Sequence, residues 1–247
     1  MQSRIISLLT LTWVTLYPLF GVAQDAPPTL DQRFISGLRE RGLLELADAA
    51  CRRQLESSQD QTDVWIGELL RVLAERAMNA ESQDRAELWQ EAEKLGDKFL
   101  RENEGHPRAI MIRVQLALNH FARGENLRIQ SELRAAADVA PALAALADAD
   151  RAFREIDQQL QLLIGRAGTK RDGRLTRDDL FALQNNVVYD RARVAQQRGL
   201  CYEMGSPDRA AAMGEAIEYL QDGLKRLDPG SSLTYQMRIE RAACYRE

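Results

Sequence analysis

From residue 31 onward apolar residues return every three or four positions, and no stretch alternates apolar and polar residues with a period of two. This spacing puts an apolar stripe along one side of a helix and leaves no segment that reads as a strand. It predicts ten helical segments, at 31–41, 44–57, 62–79, 82–103, 107–123, 127–140, 145–164, 177–204, 208–227 and from 231 to the end. Asp31, Thr62, Ser82 and Thr176 are positioned as N-caps, where a short oxygen-bearing side chain accepts from an exposed backbone amide. Gly42, Gly124 and Gly205 are positioned at helix ends, where glycine tolerates a positive φ most easily. The connections are short, so consecutive helices must run antiparallel and the unit is a helical hairpin. The stretch 145–176 fits least well and reads as an irregular helix followed by a long loop.

Composition narrows this picture without redirecting it. Apolar residues make up 45% of the 247 and aromatic residues only 6%, an Ala- and Leu-rich balance that suits helices better than sheets. The formal charge of -4 shows no basic excess of the kind that a nucleic-acid surface carries. The first segment differs from the rest: Arg4 is followed by an uncharged apolar stretch from Ile5 to Phe20 and then by Gly21-Val22-Ala23. This is the pattern of a signal peptide cleaved after Ala23, with 24–30 as a short linker and 31–247 as the helical domain. The chain is then exported, periplasmic or extracellular. If residues 5–23 are retained they are long enough to anchor the protein in the inner membrane, although Pro18 interrupts them.

A hairpin that cannot bury its apolar side alone must stack on a like hairpin, and this leaves an internal pattern in the sequence. One copy runs from Gly124 through Ile129, Leu133 and Ala136 to Pro141, with Phe121 as an anchor before it. A fuller copy has Gly199 and Tyr202 on a first helix, Gly205 in the turn, Ala216 and Leu220 on the second helix, and Pro229 as its stop. These positions resemble the Gly, Tyr, Ala and Pro signature of the tetratricopeptide repeat (TPR) family. The second copy carries about five extra residues, expected in a turn over 206–214, beyond the usual 34-residue unit. The resemblance implies an all-α, right-handed superhelical solenoid that binds a protein or peptide along its concave side without chemistry. The last helix ends on Ile239, Ala243 and Tyr245 with no helix after it to cover them, so the solenoid is expected to continue beyond Glu247.

Catalytic and ligand-binding motifs are sparse. Two His, at 106 and 120, and three Cys, at 51, 201 and 244, offer no spacing suited to zinc or to a nucleophile with its base. The odd number of Cys leaves at least one thiol unpaired within the chain, and buried reduced thiols are the expected state. The loop Gly165-Arg-Ala-Gly168-Thr-Lys170 has its Lys and Thr in the wrong order for a phosphate cradle. An EF-hand aligned on Gly173 would put Gly168 and Lys170 at ligand positions and Asp179 in place of the closing Glu. No metal, cofactor or nucleic acid is therefore expected, and a membrane only through residues 5–23.

What remains is surface. Gln115, Asn119 and Arg123 recur at i, i+4 and i+8 on one helix, and Arg193, Gln196 and Glu203 recur at near-helical spacing on another. On the TPR resemblance these six residues would line the groove and bind an extended polar peptide. The expected function is a non-catalytic interaction scaffold of the bacterial cell envelope. The alternatives are an accessory helical arm of a larger exported enzyme and a membrane-anchored envelope assembly factor.

Overall fold

The computed structural model describes residues 29–57, 61–133, 138–167 and 175–247, and among these all regular secondary structure is α-helical. The helices are α1 (Leu30–Glu40), α2 (Leu44–Ser57), α3 (Thr62–Asn79), α4 (Ser82–Glu102), α5 (Ala109–Leu133), α6 (Ala140–Arg166), α7 (Arg177–Leu200), α8 (Pro207–Leu224) and α9 (Ser232–Arg246). The first four match the periodicity to within a residue or two. None of the nine is long and apolar enough to cross a membrane, and residues 5–23 lie outside the described part.

Three boundaries depart from the sequence reading. The break expected at Gly124 is absent, and α5 runs through it for 25 residues. Gly124 is there for close packing: a Cβ on it would lie 2.7 Å from Cγ of Leu146 on α6. Pro141, expected to stop a helix, instead lies in the first turn of α6, where a missing N–H leaves no bond unmade. The irregular helix expected from 145 is also regular, because α6 buries Ala142, Ala145, Leu146, Ala149, Phe153, Ile156, Leu160 and Ile164 as one continuous stripe.

A fourth departure concerns the second TPR-like copy. Residues 207–214 extend α8 rather than a turn, with Pro207 in the first turn and Ser206 accepting from the Arg209 amide. Tyr202 accordingly falls past the end of α7, in the turn that Gly205 closes with φ of 79°. Gly42 closes the turn after α1 in the same way, with φ of 71°. Of the expected caps, Thr176 holds: its Oγ1 accepts from the Asp179 amide at 3.2 Å, and Asp179 Oδ2 accepts from the Thr176 amide at 2.9 Å. The others sit one or two residues inside their helices. The N-caps are Thr29 for α1, whose side chain accepts from the Gln32 amide, and Gln61 and Glu81 for α3 and α4, whose side chains make no capping hydrogen bond.

Neighbouring helices pack against each other in order, and α3 also packs on α5, α5 on α7 and α7 on α9. No extensive contact joins helices more than two places apart among the described residues. The core follows this order in four adjoining groups, the smallest being Ala74, Ala77, Trp89 and Ala122 among α3–α5. Trp65, Leu69, Leu73 and Ile112 are buried among α1–α5, Phe121, Leu146, Phe153 and Leu183 among α5–α7, and Met213, Ala216, Leu220 and Met237 among α7–α9. Gly199 admits α8 closely, since a Cβ there would meet Met213 Cε at 2.9 Å, while Pro229 is exposed in the turn before α9. On α9, Thr234, Met237 and Cys244 face inward, while Tyr235, Ile239 and Tyr245 are more than half exposed.

Candidate binding face

The polar residues that gather between helices lie mainly along α5, α7 and α9. On α5 the register that buries Phe121 continues through Glu125, Arg128 and Glu132 at i+4, i+7 and i+11, which carries these charges along the side that meets α7. On α7 the answering residues are Tyr189, Asp190, Arg193 and Gln197. The Arg193 guanidinium lies 4.7 Å from the Phe121 ring centroid and 5.8 Å from that of Tyr189, so two aromatic faces hold it by cation–π attraction. Its Nη1 is 3.5 Å from Asp190 Oδ1. Arg128 Nε donates to Gln197 Oε1 at 2.6 Å, and the same guanidinium pairs with Glu132.

Burial sets the electrostatics of this face. Asp190 is 5% exposed, and loss of water pushes its carboxyl up to about 6 in spite of the Arg193 charge beside it. Glu125 is likewise raised by burial, opposed by Arg193 and Arg128 and reinforced by Glu240 of α9. Its Oε2 is buried without a hydrogen-bond partner. Glu240 also acts on Arg193.

The six residues expected to line a groove do not share a face. Gln115 and Asn119 are buried between α3 and α5, where they form a polar chain: Arg71 Nε donates to Gln115 Oε1 at 3.2 Å, Gln115 Nε2 donates to Asn119 Oδ1 at 3.0 Å, and Asn119 Nδ2 donates to the Leu70 carbonyl at 3.1 Å. They hold helices together, and only Asn119 also borders a surface cleft. Arg123 is exposed and lines a shallow, solvent-open cleft between α4 and α5 with Trp89, Glu93, Leu116, Asn119 and His120. Gln196 is buried beside Cys244, and Glu203 is exposed in the turn after α7. Arg193 alone of the six lies in the α5–α7–α9 cluster.

Glu125, Arg128, Asp190, Gln197 and Glu240 escaped the sequence reading because polar residues on a helix look like an ordinary solvated side. The signal was present in the Phe121 register, since residues at i+4 and i+7 from a buried anchor share its side of the helix.

Elsewhere the chemistry is quiet. His106 packs edge-on against Phe99 at 5.6 Å and accepts from the Arg108 amide through Nδ1. Burial holds the Cys51 thiol up at about 12 and Cys244 at about 11, far above the range of a reactive thiolate. Among the described residues no three His, Cys, Asp or Glu are grouped to hold a metal. Residues 168–174, which carry most of the phosphate-loop and EF-hand readings, lie outside the described part, and Asp179 is committed to the Thr176 cap. Comparison with protein-family models, with curated proteins and with solved structures found no match.

Proposed function

We propose that the chain is a non-catalytic interaction scaffold, a right-handed superhelical stack of TPR-like hairpins that binds a protein or peptide segment along the α5–α7–α9 face. The observation that carries this reading is the packing order: helices touch their sequence neighbours and, through α3, α5, α7 and α9, their next-but-one neighbours, and make no extensive contact further along the chain. A row of alternate helices stacked in this way is what a repeat array requires, and its inner row is the surface such arrays use for ligands. Half-buried Tyr189, Arg193 and Gln197 on α7 supply that row with an aromatic ring, a charge and a free amide N–H group. With the signal-like segment at residues 1–23, the scaffold belongs to the bacterial cell envelope, as an exported protein cleaved after Ala23.

The test is a display library of extended peptides selected against the purified chain. Selected peptides should lose binding in Tyr189→Ala and Gln197→Ala and keep it in Arg151→Ala, an exposed site on α6. Binding indifferent to the two α7 substitutions would overturn the reading. The mass of the native protein tests export: a chain beginning at Gln24 supports cleavage, and an intact N-terminus favours the membrane-anchored alternative.

A further inference from the structure

We propose that Glu125 and Glu240 receive a positively charged side chain, Lys or Arg, from the extended peptide bound at the α5–α7–α9 face; the proposal rests on the binding role given to that face above. The charges on the face are unevenly matched. Arg193 is engaged by Asp190, and Arg128 by Glu132 and Gln197. Glu125 and Glu240 are left, and among the described residues neither makes an ion pair within 4.0 Å. Four carboxylates therefore face two guanidinium groups, and the uncompensated charge is negative.

Glu125 makes the imbalance informative. The residue is only 7% exposed, and its Oε2 is shut away from water with no donor from the protein. Buried polar oxygens are almost always satisfied, and a carboxylate left unsatisfied is more costly than a neutral group. Among the described residues no donor serves it, and the proposal is that the missing donor comes from a ligand. An ammonium brings three N–H groups and a guanidinium five, together with the charge that the two glutamates lack. A peptide carboxylate would instead add to an already acidic set. Partly exposed Glu240 and Arg193 mark where the site opens to solvent. Gln197, whose Oε1 is taken by Arg128, keeps its amide N–H groups for a carbonyl of the incoming backbone, which favours a peptide over a free polyamine.

Fluorescence anisotropy on the purified chain tests this with four labelled eleven-residue Gly/Ser probes, each carrying three copies of Lys, Arg, Glu or Leu. The Lys and Arg probes should bind at least tenfold more tightly than the Glu probe. Glu125→Gln with Glu240→Gln should weaken the Lys probe tenfold or more, while the melting temperature stays level or rises because Glu125 loses no internal partner. A Lys probe unaffected by the double variant, or a melting temperature lowered by Glu125→Gln alone, would overturn the assignment. If the Leu or Glu probe binds best and Tyr189→Ala abolishes it, the face binds peptides and the cation site is refuted. If no probe binds, the binding role of the face fails with it. Displacement of the Lys probe by spermidine at equal charge concentration would reassign the site to a free polyamine, and no displacement supports the peptide.

Discussion

Replacing Gly124 with Ala should destabilise the protein although it improves the helix. Inside a helix the change is worth about 1 kcal/mol in favour of Ala, through the backbone entropy that Gly loses on folding. Against this gain, the new Cβ would stand 2.7 Å from Leu146 Cγ, 2.9 Å from its Cδ2 and 3.1 Å from its backbone nitrogen. Comfortable carbon contacts lie at about 3.5–4.0 Å. Leu146 is fully buried and the nearest atom is its branch point, so a rotation of its tip cannot clear the space. The helices must separate or Leu146 must leave its rotamer, at about 1–3 kcal/mol. A net loss of up to about 2 kcal/mol follows, seen as a melting temperature lower by up to about 8 °C. Gly214 is the control: it lies within α8 with nothing inside 4 Å of a Cβ, so Gly214→Ala should gain up to about 1 kcal/mol. Leu146→Ala alone should cost about 2–5 kcal/mol, and the Gly124→Ala, Leu146→Ala pair should cost less than the sum by about 1 kcal/mol. Chemical denaturation of the four variants measures these terms. Gly124→Ala gaining as much stability as Gly214→Ala would refute the close approach of α5 and α6. Destabilisation without coupling to Leu146 would return Gly124 to the helix end expected from sequence.

Three further outcomes are expected. Asn119→Ala should cost about 1–3 kcal/mol in denaturant unfolding, because it strips the buried Leu70 carbonyl and Gln115 amide of their partner; a neutral result would remove the polar chain between α3 and α5. Asp190, raised from the ordinary 3.8 to about 6, and Glu125, raised in the same direction, bind protons more readily folded than unfolded. Their stabilising contribution is therefore complete below about pH 4 and lost as pH rises, for Asp190 through about 6, so Glu125→Gln should gain on the parent at high pH and the gap should close as pH falls in matched melting curves. Iodoacetamide at pH 7.5 should label Cys51 and Cys244 in the native chain only at the rate of unfolding, and rapid labelling of either would contradict their burial.

Element type was readable because period 3.6 holds along the chain, and α1 to α4 fall where Ile35, Leu38, Ala47, Cys51, Trp65, Leu69, Trp89 and Phe99 put their apolar stripes. Gly124 and Pro141 were misread for one reason. A glycine at a helix crossing and a glycine at a helix end look alike in sequence, as do a proline that stops a helix and one that starts it, and the difference lies in what packs against them. The binding face was harder. Gln115 and Asn119 look like surface residues in one dimension, yet Arg71 and Leu70 of another helix close over them. The reverse holds for Glu125, whose lack of a partner can be seen only when α5, α7 and α9 are brought together.

The binding face itself is tested most directly by hydrogen–deuterium exchange on the purified chain, alone and saturated with a display-selected peptide. New protection confined to α5, α7 and α9 around Arg128, Arg193 and Glu240 is the predicted result. Protection centred instead on the outer sides of α4, α6 or α8, with the Arg193 region unchanged, would contradict it.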